Sequence, residues 1–236
     1  MPLSTWRRTA RSPGIPSHRT ARAGRTARSG RAEGTREAIL TVAERMFAEH
    51  GVFAVSNRQI SEAAGQGNNA AVGYHFGTKT DLLRAIVRKH AAHIEELRRE
   101  MPAETGDSLD VRDWVARLVR PSTDHLAELG SPTWFARFAT QMMTDPVLRE
   151  VMTEETFGPP VQQTLDGLNR CIPDLPLPVR IERGEMARHL LMHMLAERER
   201  ALTENTHTTR STWPEYADGL IDAITGIRRA PVTPRP

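Results

Sequence analysis

Residues 63–83, AAGQGNNAAVGYHFGTKTDLL, place a short and weakly hydrophobic stretch between two strongly amphipathic ones. We predict that about residues 69–75 are helical, with Asn68 and Asn69 at the N-terminus and a glycine, Gly73, in the interior. A glycine at such a position costs a helix about 1 kcal/mol relative to alanine. A helix of this kind adds little to a core, so we expect one of its faces to remain free.

Longer helical patterns flank this stretch on both sides. In residues 35–51, TREAILTVAERMFAEHG, apolar residues recur every three or four positions after a capping threonine, Thr35. We predict a second helix that is capped by Ser56 and ended by Gly65, and a long fourth helix that is capped by Thr78. The inward-facing residues predicted for the second helix are Ile60, Ala63 and Ala64.

Two short helices joined by a glycine-containing turn, with a longer helix on each side, are typical of a helix-turn-helix. In that motif the second helix enters the major groove of DNA, and its N-terminal residues contact base edges. Asn68 and Asn69 hold this position, and asparagine can pair bidentately with adenine. Small Ala70 and Ala71 allow a close approach to bases or to neighbouring helices. The alternative is an ordinary surface helix with an asparagine cap.

Three blocks carry a resemblance to a known family: AERMFAEHG (43–51), VSNRQISEAAG (55–65) and, above all, YHFGTKTDLL (74–83). Over about residues 35–87 the chain resembles the tetracycline-repressor (TetR) family of bacterial regulators. The resemblance implies an all-α fold, with an N-terminal three-helix helix-turn-helix DNA-binding unit and a C-terminal helical bundle for effector binding and dimerisation. It also implies a cytoplasmic homodimer on a palindromic double-stranded DNA operator, in the simplest case a repressor released by a small-molecule effector.

The resemblance also implies DNA contacts for individual positions. Ser56, Tyr74, His75 and Lys79 would contact phosphates, and Arg58 would contact a phosphate or a base edge, in agreement with the usual phosphate-binding groups. The DNA-binding residues predicted in this way are Thr35, Arg36, Ser56, Arg58, Asn68, Asn69, Ala70, Gly73, Tyr74, His75 and Lys79.

The turn departs from the family pattern in one respect. Between Gly65 and Tyr74 the chain has one residue more than the commonest family spacing, and we expect Gly67 to absorb it. Which of Asn68, Asn69 and Ala70 faces the groove is therefore left open.

Positive charge is concentrated at the start of the chain. Residues 1–33 contain eight arginines and one glutamate, which gives them +7 and leaves −4 for the rest of a chain of net charge +3. Few of these residues are apolar, so we predict a disordered Arg-rich arm. The arm either lies along DNA phosphates or is a solvated extension. It resembles an organellar transit peptide only weakly, because prolines interrupt it and apolar residues are few.

The remaining chain shows helical patterns only. We predict the helix-turn-helix domain over residues 34–83, the effector-binding and dimerisation domain over 84–230, and a disordered tail over 231–236. Pro121 should kink a helix of the bundle.

Large apolar side chains of the bundle are candidates for a ligand pocket, although such patterns more often belong to a core. The pocket candidates are Trp114, Leu118, Trp134, Phe138, Met142, Met143, Leu165 and Leu168. The last two helices resemble the dimer interface of the family, with Ile181, Leu190, Leu191, Met194, Leu195, Leu220, Ile221, Ile224 and Ile227.

Several function classes lack support in the sequence. No run approaches the roughly 20 apolar residues of a membrane span, and a lone cysteine, Cys171, suits a reducing cytoplasm. His189 and His193 have a spacing that can chelate zinc, but no third ligand accompanies them, and His90 and His93 are only three residues apart. We predict no catalytic residue, no metal site and no cofactor besides an unknown effector. The alternatives are an activator or ligand-independent regulator of the same family, and a helical small-molecule-binding protein or enzyme.

Overall fold

The structure, a computed structural model, describes residues 18–101 and 107–233, with the backbone alone for residues 18–29. Residues 1–38 and 39–236 form two compact units. Within the described residues the chain contains helices and no strand, which confirms the predicted all-α class. The helices are α1 (His18–His50), α2 (Asn57–Ala63), α3 (Ala71–Phe76), α4 (Lys79–Glu100), α5 (Val111–Leu129), α6 (Phe135–Thr144), α7 (Pro146–Thr156), α8 (Pro159–Arg170), α9 (Leu177–Thr203) and α10 (Trp213–Arg229).

The described part of the first unit is the beginning of α1. Because this helix starts at His18, Thr35 lies inside it and does not cap it, so the predicted cap is wrong. The disorder predicted for residues 1–33 rests on the scarcity of apolar residues, but residues 18–33 belong to α1, because alanine and arginine favour a helix even without a core to join. Thr35 and Arg36 are both half-buried. Residues 1–17 of the predicted arm and residues 234–236 of the predicted tail lie outside the described residues.

Local hydrogen bonds fix the starts of α2 and α4. Ser56 Oγ accepts from Gln59 N (3.3 Å), and Gln59 Oε1 accepts from Ser56 N (2.8 Å). Thr78 and Asp81 repeat this reciprocal pair at the start of α4, at 3.1 and 3.0 Å. Each pair satisfies amides that the first helical turn leaves without partners. Both predicted caps are confirmed.

Helix α2 packs on α3 through a serine, not through the predicted alanine. Ser61 is fully buried, whereas Ala63 is exposed. The Ser61 hydroxyl donates to Asn57 O (3.0 Å) and accepts from Val72 N in α3 (3.4 Å). A hydroxyl with two backbone partners can be buried at little cost. A pattern of apolar residues therefore misassigns the inward face of α2.

The rest of the second unit is a helical bundle, in which α10 packs on α5 and α9 while α4 packs on α5 and α7. Helix α4 is continuous across the predicted domain boundary at residue 83, so it links the helix-turn-helix to the bundle. Helix α7 was not predicted from the sequence. Asp145 Oδ1 accepts from Val147 N (2.9 Å) and Leu148 N (3.1 Å), which starts α7.

A buried arginine joins α4 to α5 at Pro121. This proline lies inside α5, and its missing N–H leaves the carbonyl of Arg117 without a helical donor. Arg98 Nε of α4 donates to Arg117 O at 3.1 Å, and the same guanidinium pairs with Glu95. The kink predicted at Pro121 stays a prediction.

The start of α6 is held by a carboxylate from α9. Glu199 is fully buried; its Oε1 accepts from Ala136 N (2.9 Å) and its Oε2 from Arg137 N (2.9 Å) and Arg137 Nε (3.2 Å). Burial raises the pKa of Glu199, while these hydrogen bonds act in the opposite direction. One side chain thus caps a helix whose first residues are more than 60 positions away.

Candidate nucleic-acid interface and ligand cavity

Helix α3 has one buried and one bare side. Ala71 and Val72 are buried against the neighbouring helices, whereas Ala70, Gly73 and Tyr74 on the other side are exposed. The Tyr74 side chain reaches solvent almost completely, at 84% exposure. The outer side of this helix is therefore not used for packing by the described part of the chain.

The glycine in α3 is not explained by the chain's own packing. A Cβ built at Gly73 meets no described atom within 4 Å, and the backbone there has no positive φ angle. Alanine would fit the position and would favour the helix by about 1 kcal/mol. If the protein needs a glycine at residue 73, the group that approaches this position closely belongs to another molecule.

The turn before α3 uses one of the two asparagines. Gly65 has φ +67°, a left-handed conformation that glycine adopts without strain, and its N–H bonds to Glu62 O at 3.0 Å. Asn68 Oδ1 accepts from Ala70 N (2.9 Å), so this side chain stabilises the turn. Asn68 and Asn69 are both exposed beside the start of α3. The role predicted for Gly67 stays a prediction.

Arg58 and Lys79, two of the basic residues predicted to bind phosphate, differ in how far their side chains are held by the rest of the chain. Arg58 has a side chain that is 72% exposed, with one ion pair to Glu62 on the same helix (2.8 Å). Lys79 Nζ instead donates to Val55 O (2.6 Å) and lies 5.6 Å from the ring centre of Phe47. Burial lowers the pKa of Lys79. Lys79 therefore holds the loop before α2 in place, in addition to any contact with phosphate.

The bundle encloses a cavity of about 590 Å³ with largely apolar walls. Leu118, Leu165 and Leu168 line it, as does Met143, which agrees with their selection as pocket candidates. The other candidates, Trp114, Trp134, Phe138 and Met142, do not belong to its described lining.

The four pocket candidates outside the described lining belong to the packed core or to helix starts. On α6, Ala139 and Met143 face the cavity, whereas Phe138 is fully buried and stacks on Phe47 with ring centres 6.1 Å apart. Met142 is fully buried as well, because a step of one residue turns a helix by about 100°. Trp114 donates Nε1–H to Ser108 O (2.9 Å) and covers Gly167, and Trp134 precedes the first turn of α6.

Charged side chains, which the sequence analysis missed, also line this cavity. Glu95 and Arg98 of α4 form a pair on its wall, and Glu95 Oε2 is buried without a hydrogen-bond partner in the described part of the chain. Arg228 Nε, from α10, is another buried lining atom without such a partner. Burial is the main cause that lowers the pKa of both arginines. The sequence feature that could have indicated this charged pair is the spacing of Glu95 and Arg98, which are three positions apart on the inward face of α4.

The predicted dimer residues fall into three classes of exposure. Helix α10 packs on α5 inside the chain, so its apolar residues are committed to the monomer core. Ile181 and Met194 on α9 are exposed. The buried members are Leu195, Leu220, Ile221 and Ile224, and the half-buried ones are Leu190, Leu191 and Ile227.

Among the described residues, no helix combines the length and the apolar character that crossing a membrane would require.

Comparison with known proteins gives matches that centre on the N-terminal helices. A family model described as bacterial regulatory proteins, tetR family, matches residues 39–86. Over 63 residues the chain is 40% identical to the HTH-type transcriptional repressor AcnR of Corynebacterium glutamicum, covering 27% of this chain and 33% of that protein. Over 117 residues it is 32% identical to AcnR of Corynebacterium diphtheriae, covering 48% and 53%.

The chain therefore spans about a third to a half of the length of these curated relatives. Among solved structures, the TetR family transcriptional regulator PfmR from Thermus thermophilus aligns with 83% of this chain and 96% of its own, at 17% identity and a TM-score of 0.46. Residues 39–86, which include α2, α3 and the first turns of α4, are therefore similar to the TetR family of bacterial regulatory proteins.

Proposed function

We propose that the chain is a sequence-specific DNA-binding transcription regulator, which acts in the cytoplasm as a homodimer on a palindromic double-stranded operator. The observation that carries this proposal is the bare outer side of α3 in a TetR-family helix-turn-helix. In a dimer, two such helices would enter successive major grooves about 34–36 Å apart. The simplest regulator of this kind is a repressor that a small effector releases; an activator is the alternative.

The exposed residues of the helix-turn-helix have the chemistry for these contacts. Asn69, at the start of α3, can pair with a base edge, and Gly73 permits a close approach of the helix backbone. Tyr74, His75 and Arg58 are placed in our proposal on phosphates. Thr35, Arg36 and the arm of residues 1–33 are proposed as further phosphate contacts.

Selection of bound duplexes from a random DNA pool, with the full chain, tests the proposal. We expect an enriched palindrome whose half-sites are one helical turn apart. Tyr74→Ala should weaken binding to it by about 1 kcal/mol or more, whereas Phe157→Ala, an exposed aromatic residue of the bundle, should not. Equal affinity for all duplexes, or an unchanged Tyr74→Ala variant, would contradict the proposal.

The two basic positions need separate controls. Arg58→Ala should reduce the slope of log affinity against log salt by about one unit, with little loss of stability, because its ion pair is exposed. Lys79→Ala should reduce the slope similarly but also destabilise the domain, because it removes the bond to Val55 O. Removing residues 1–33 tests the arm, which is rejected if affinity and salt dependence stay the same.

A homodimer through α9 is proposed because this helix carries exposed apolar side chains. Ile181 is 60% exposed and Met194 is exposed on the same helix, so a partner chain that covers them would bury additional apolar surface. Met194→Lys should shift the protein towards monomers in sedimentation experiments. If the native chain is already monomeric at micromolar concentration, the dimer is wrong.

The effector is proposed to occupy the cavity of about 590 Å³. Its walls fit a largely apolar molecule with a polar group directed at the pair of Glu95 and Arg98. A filled core would instead favour a ligand-independent regulator. Carboxylates and guanidinium groups are the charged groups of the described lining, which contains no histidine, cysteine or lysine, so no particular observation favours an enzyme.

A fluorescent apolar anion, 1-anilinonaphthalene-8-sulfonate, can probe this cavity without knowledge of the effector. We expect saturable binding that Ala139→Leu weakens by narrowing the cavity, while affinity for the selected duplex is retained. Equal dye binding by both proteins would place the dye elsewhere and remove this support for an effector.

A further inference from the structure

Two histidines and a glutamate meet where α4 packs on α5, outside the described lining of the ligand cavity. His93 belongs to α4, and His125 and Glu128 belong to α5. One potential ligand atom from each of the three lies within 4.8 Å of the other two. His93 is 35 positions from Glu128 in the sequence, so only the packing of the two helices brings it to the two residues of α5.

The buried member of this cluster has an unsatisfied ring nitrogen. His125 is 4% exposed, and its Nε2 lies 2.8 Å from His90 Nδ1. Its Nδ1 is buried without a hydrogen-bond partner among the described residues. Leaving such an atom unpaired is unfavourable, so a bound group that uses it would be stabilising.

When His90 is neutral, a chain of hydrogen bonds sets which nitrogen of His125 carries the proton. Glu44 Oε2 lies 2.7 Å from His90 Nε2, and a carboxylate can only accept, so this nitrogen of His90 carries a proton. In the neutral ring, His90 Nδ1 is then an acceptor, which takes a proton from His125 Nε2. His125 Nδ1 is left with a free lone pair, the form that binds a metal ion.

The other two members of the cluster reach solvent. The side chains of His93 and Glu128 are 40% and 53% exposed, and His93 Nε2 lies 2.5 Å from Glu128 Oε2. Glu96 Oε2, at 3.5 Å from His93 Nδ1, is an additional acidic neighbour. An ion could therefore reach the cluster from solvent past these two side chains.

We propose that His93, His125 and Glu128 bind a divalent late transition-metal ion, for which Zn²⁺ is the best match. Two imidazole nitrogens and one carboxylate oxygen suit zinc better than magnesium or calcium, which prefer oxygen ligands alone. Three protein ligands leave a fourth position open for water or another ligand. The pair of Glu44 and His90 orients His125, as hydrogen-bonded partners of metal-binding histidines commonly do.

The geometry requires only small movements. Ligand atoms of a tetrahedral zinc at about 2.0–2.1 Å lie about 3.4 Å from one another. His93 and Glu128 have to open their direct contact, which two half-exposed side chains can do by rotation. Sequence reasoning predicts no metal here because the third ligand comes from a different helix.

Titration of the metal-free full chain with Zn²⁺, followed by calorimetry, tests the proposal. We expect one ion per chain, and His93→Ala and Glu128→Gln should each weaken binding by about 100-fold or more. Both residues are half-exposed, so the variants should remain folded, which circular dichroism can check. His193→Ala is the matched control, because His189 and His193 form a similarly spaced pair on exposed positions of α9.

Two further measurements separate coordination from a general effect of charge. Co²⁺ in the same site should give visible absorption bands that the His93→Ala variant lacks. Glu44→Gln, which removes no ligand atom, should weaken Zn²⁺ binding by about 10–100-fold. No zinc binding, binding that survives both His93→Ala and Glu128→Gln, or loss only in His193→Ala would each overturn the proposal.

Discussion

Two helical glycines, Gly73 of α3 and Gly167 of α8, lie in opposite surroundings. A Cβ at Gly73 would meet no described atom within 4 Å, whereas one at Gly167 would overlap the ring of Trp114. The bundle needs its glycine for internal packing, and the helix-turn-helix does not. The same residue type thus indicates an external partner in one region and a close internal approach in the other.

Two helix starts, those of α2 in the helix-turn-helix and α6 in the bundle, also differ. The first turn of α2 is capped by Ser56 and Gln59, which are neighbours in the sequence. The first turn of α6 is capped by Glu199, which comes from the distant helix α9. The following variants measure how much a local and a distant cap each contribute.

The largest effect is expected for Glu199→Ala. It removes three hydrogen bonds from the start of α6 and leaves Arg137 without its carboxylate partner, so we expect a loss of about 3–5 kcal/mol in the free energy of unfolding. Urea unfolding measures this loss. Glu197→Ala, which removes an exposed carboxylate from the same helix, should change stability by less than about 0.5 kcal/mol. Similar losses in both variants would mean that the distant cap is unimportant.

Gly167→Ala should have the next largest effect. The added methyl group has to displace the buried Trp114 ring, and overpacking of this kind costs about 1–3 kcal/mol. Thermal unfolding measures the change, and Gly226→Ala, at an open helical position of α10, should be neutral or stabilising. An alanine at residue 167 that leaves the melting temperature unchanged would show that Trp114 moves freely.

Ser56→Ala tests the local cap. It should lower the free energy of unfolding by about 1 kcal/mol, less than the loss of Glu199, because the exposed amides can bond to water instead. Ser56→Asp, which retains an acceptor at the cap, should restore stability in the same urea experiment. A loss as large as that of Glu199→Ala would remove the distinction between local and distant caps.

Gly73→Ala should have the smallest effect on stability and the opposite sign. Alanine should raise the free energy of unfolding by about 0.5–1 kcal/mol, since nothing in the described chain obstructs it. Affinity for the selected duplex should nevertheless fall, because the methyl group would face DNA. Gly226→Ala should stabilise to a similar degree with no loss of affinity. Unchanged DNA binding by Gly73→Ala would mean that α3 does not approach a groove closely.

The sequence was informative where the responsible residues are close together. The caps at Ser56 and Thr78 and the bare side of α3 follow from residues within one or two helical turns. It was less informative for the cavity, where Met143 was placed correctly and its neighbour Met142 was not. Both methionines fit the same apolar pattern, and only the neighbouring helices decide which of them faces empty space.

What the sequence alone determined is the all-helical class, the starts of α2 and α4 and the exposed chemistry of α3, because hydrogen bonds between near neighbours and helical periodicity set them. Tertiary packing decided the rest. It placed Glu199 at the start of α6, enclosed the cavity beside Glu95 and Arg98, and brought His93 to His125 and Glu128. These contacts join residues that are far apart along the chain, and they form only when whole helices pack against one another.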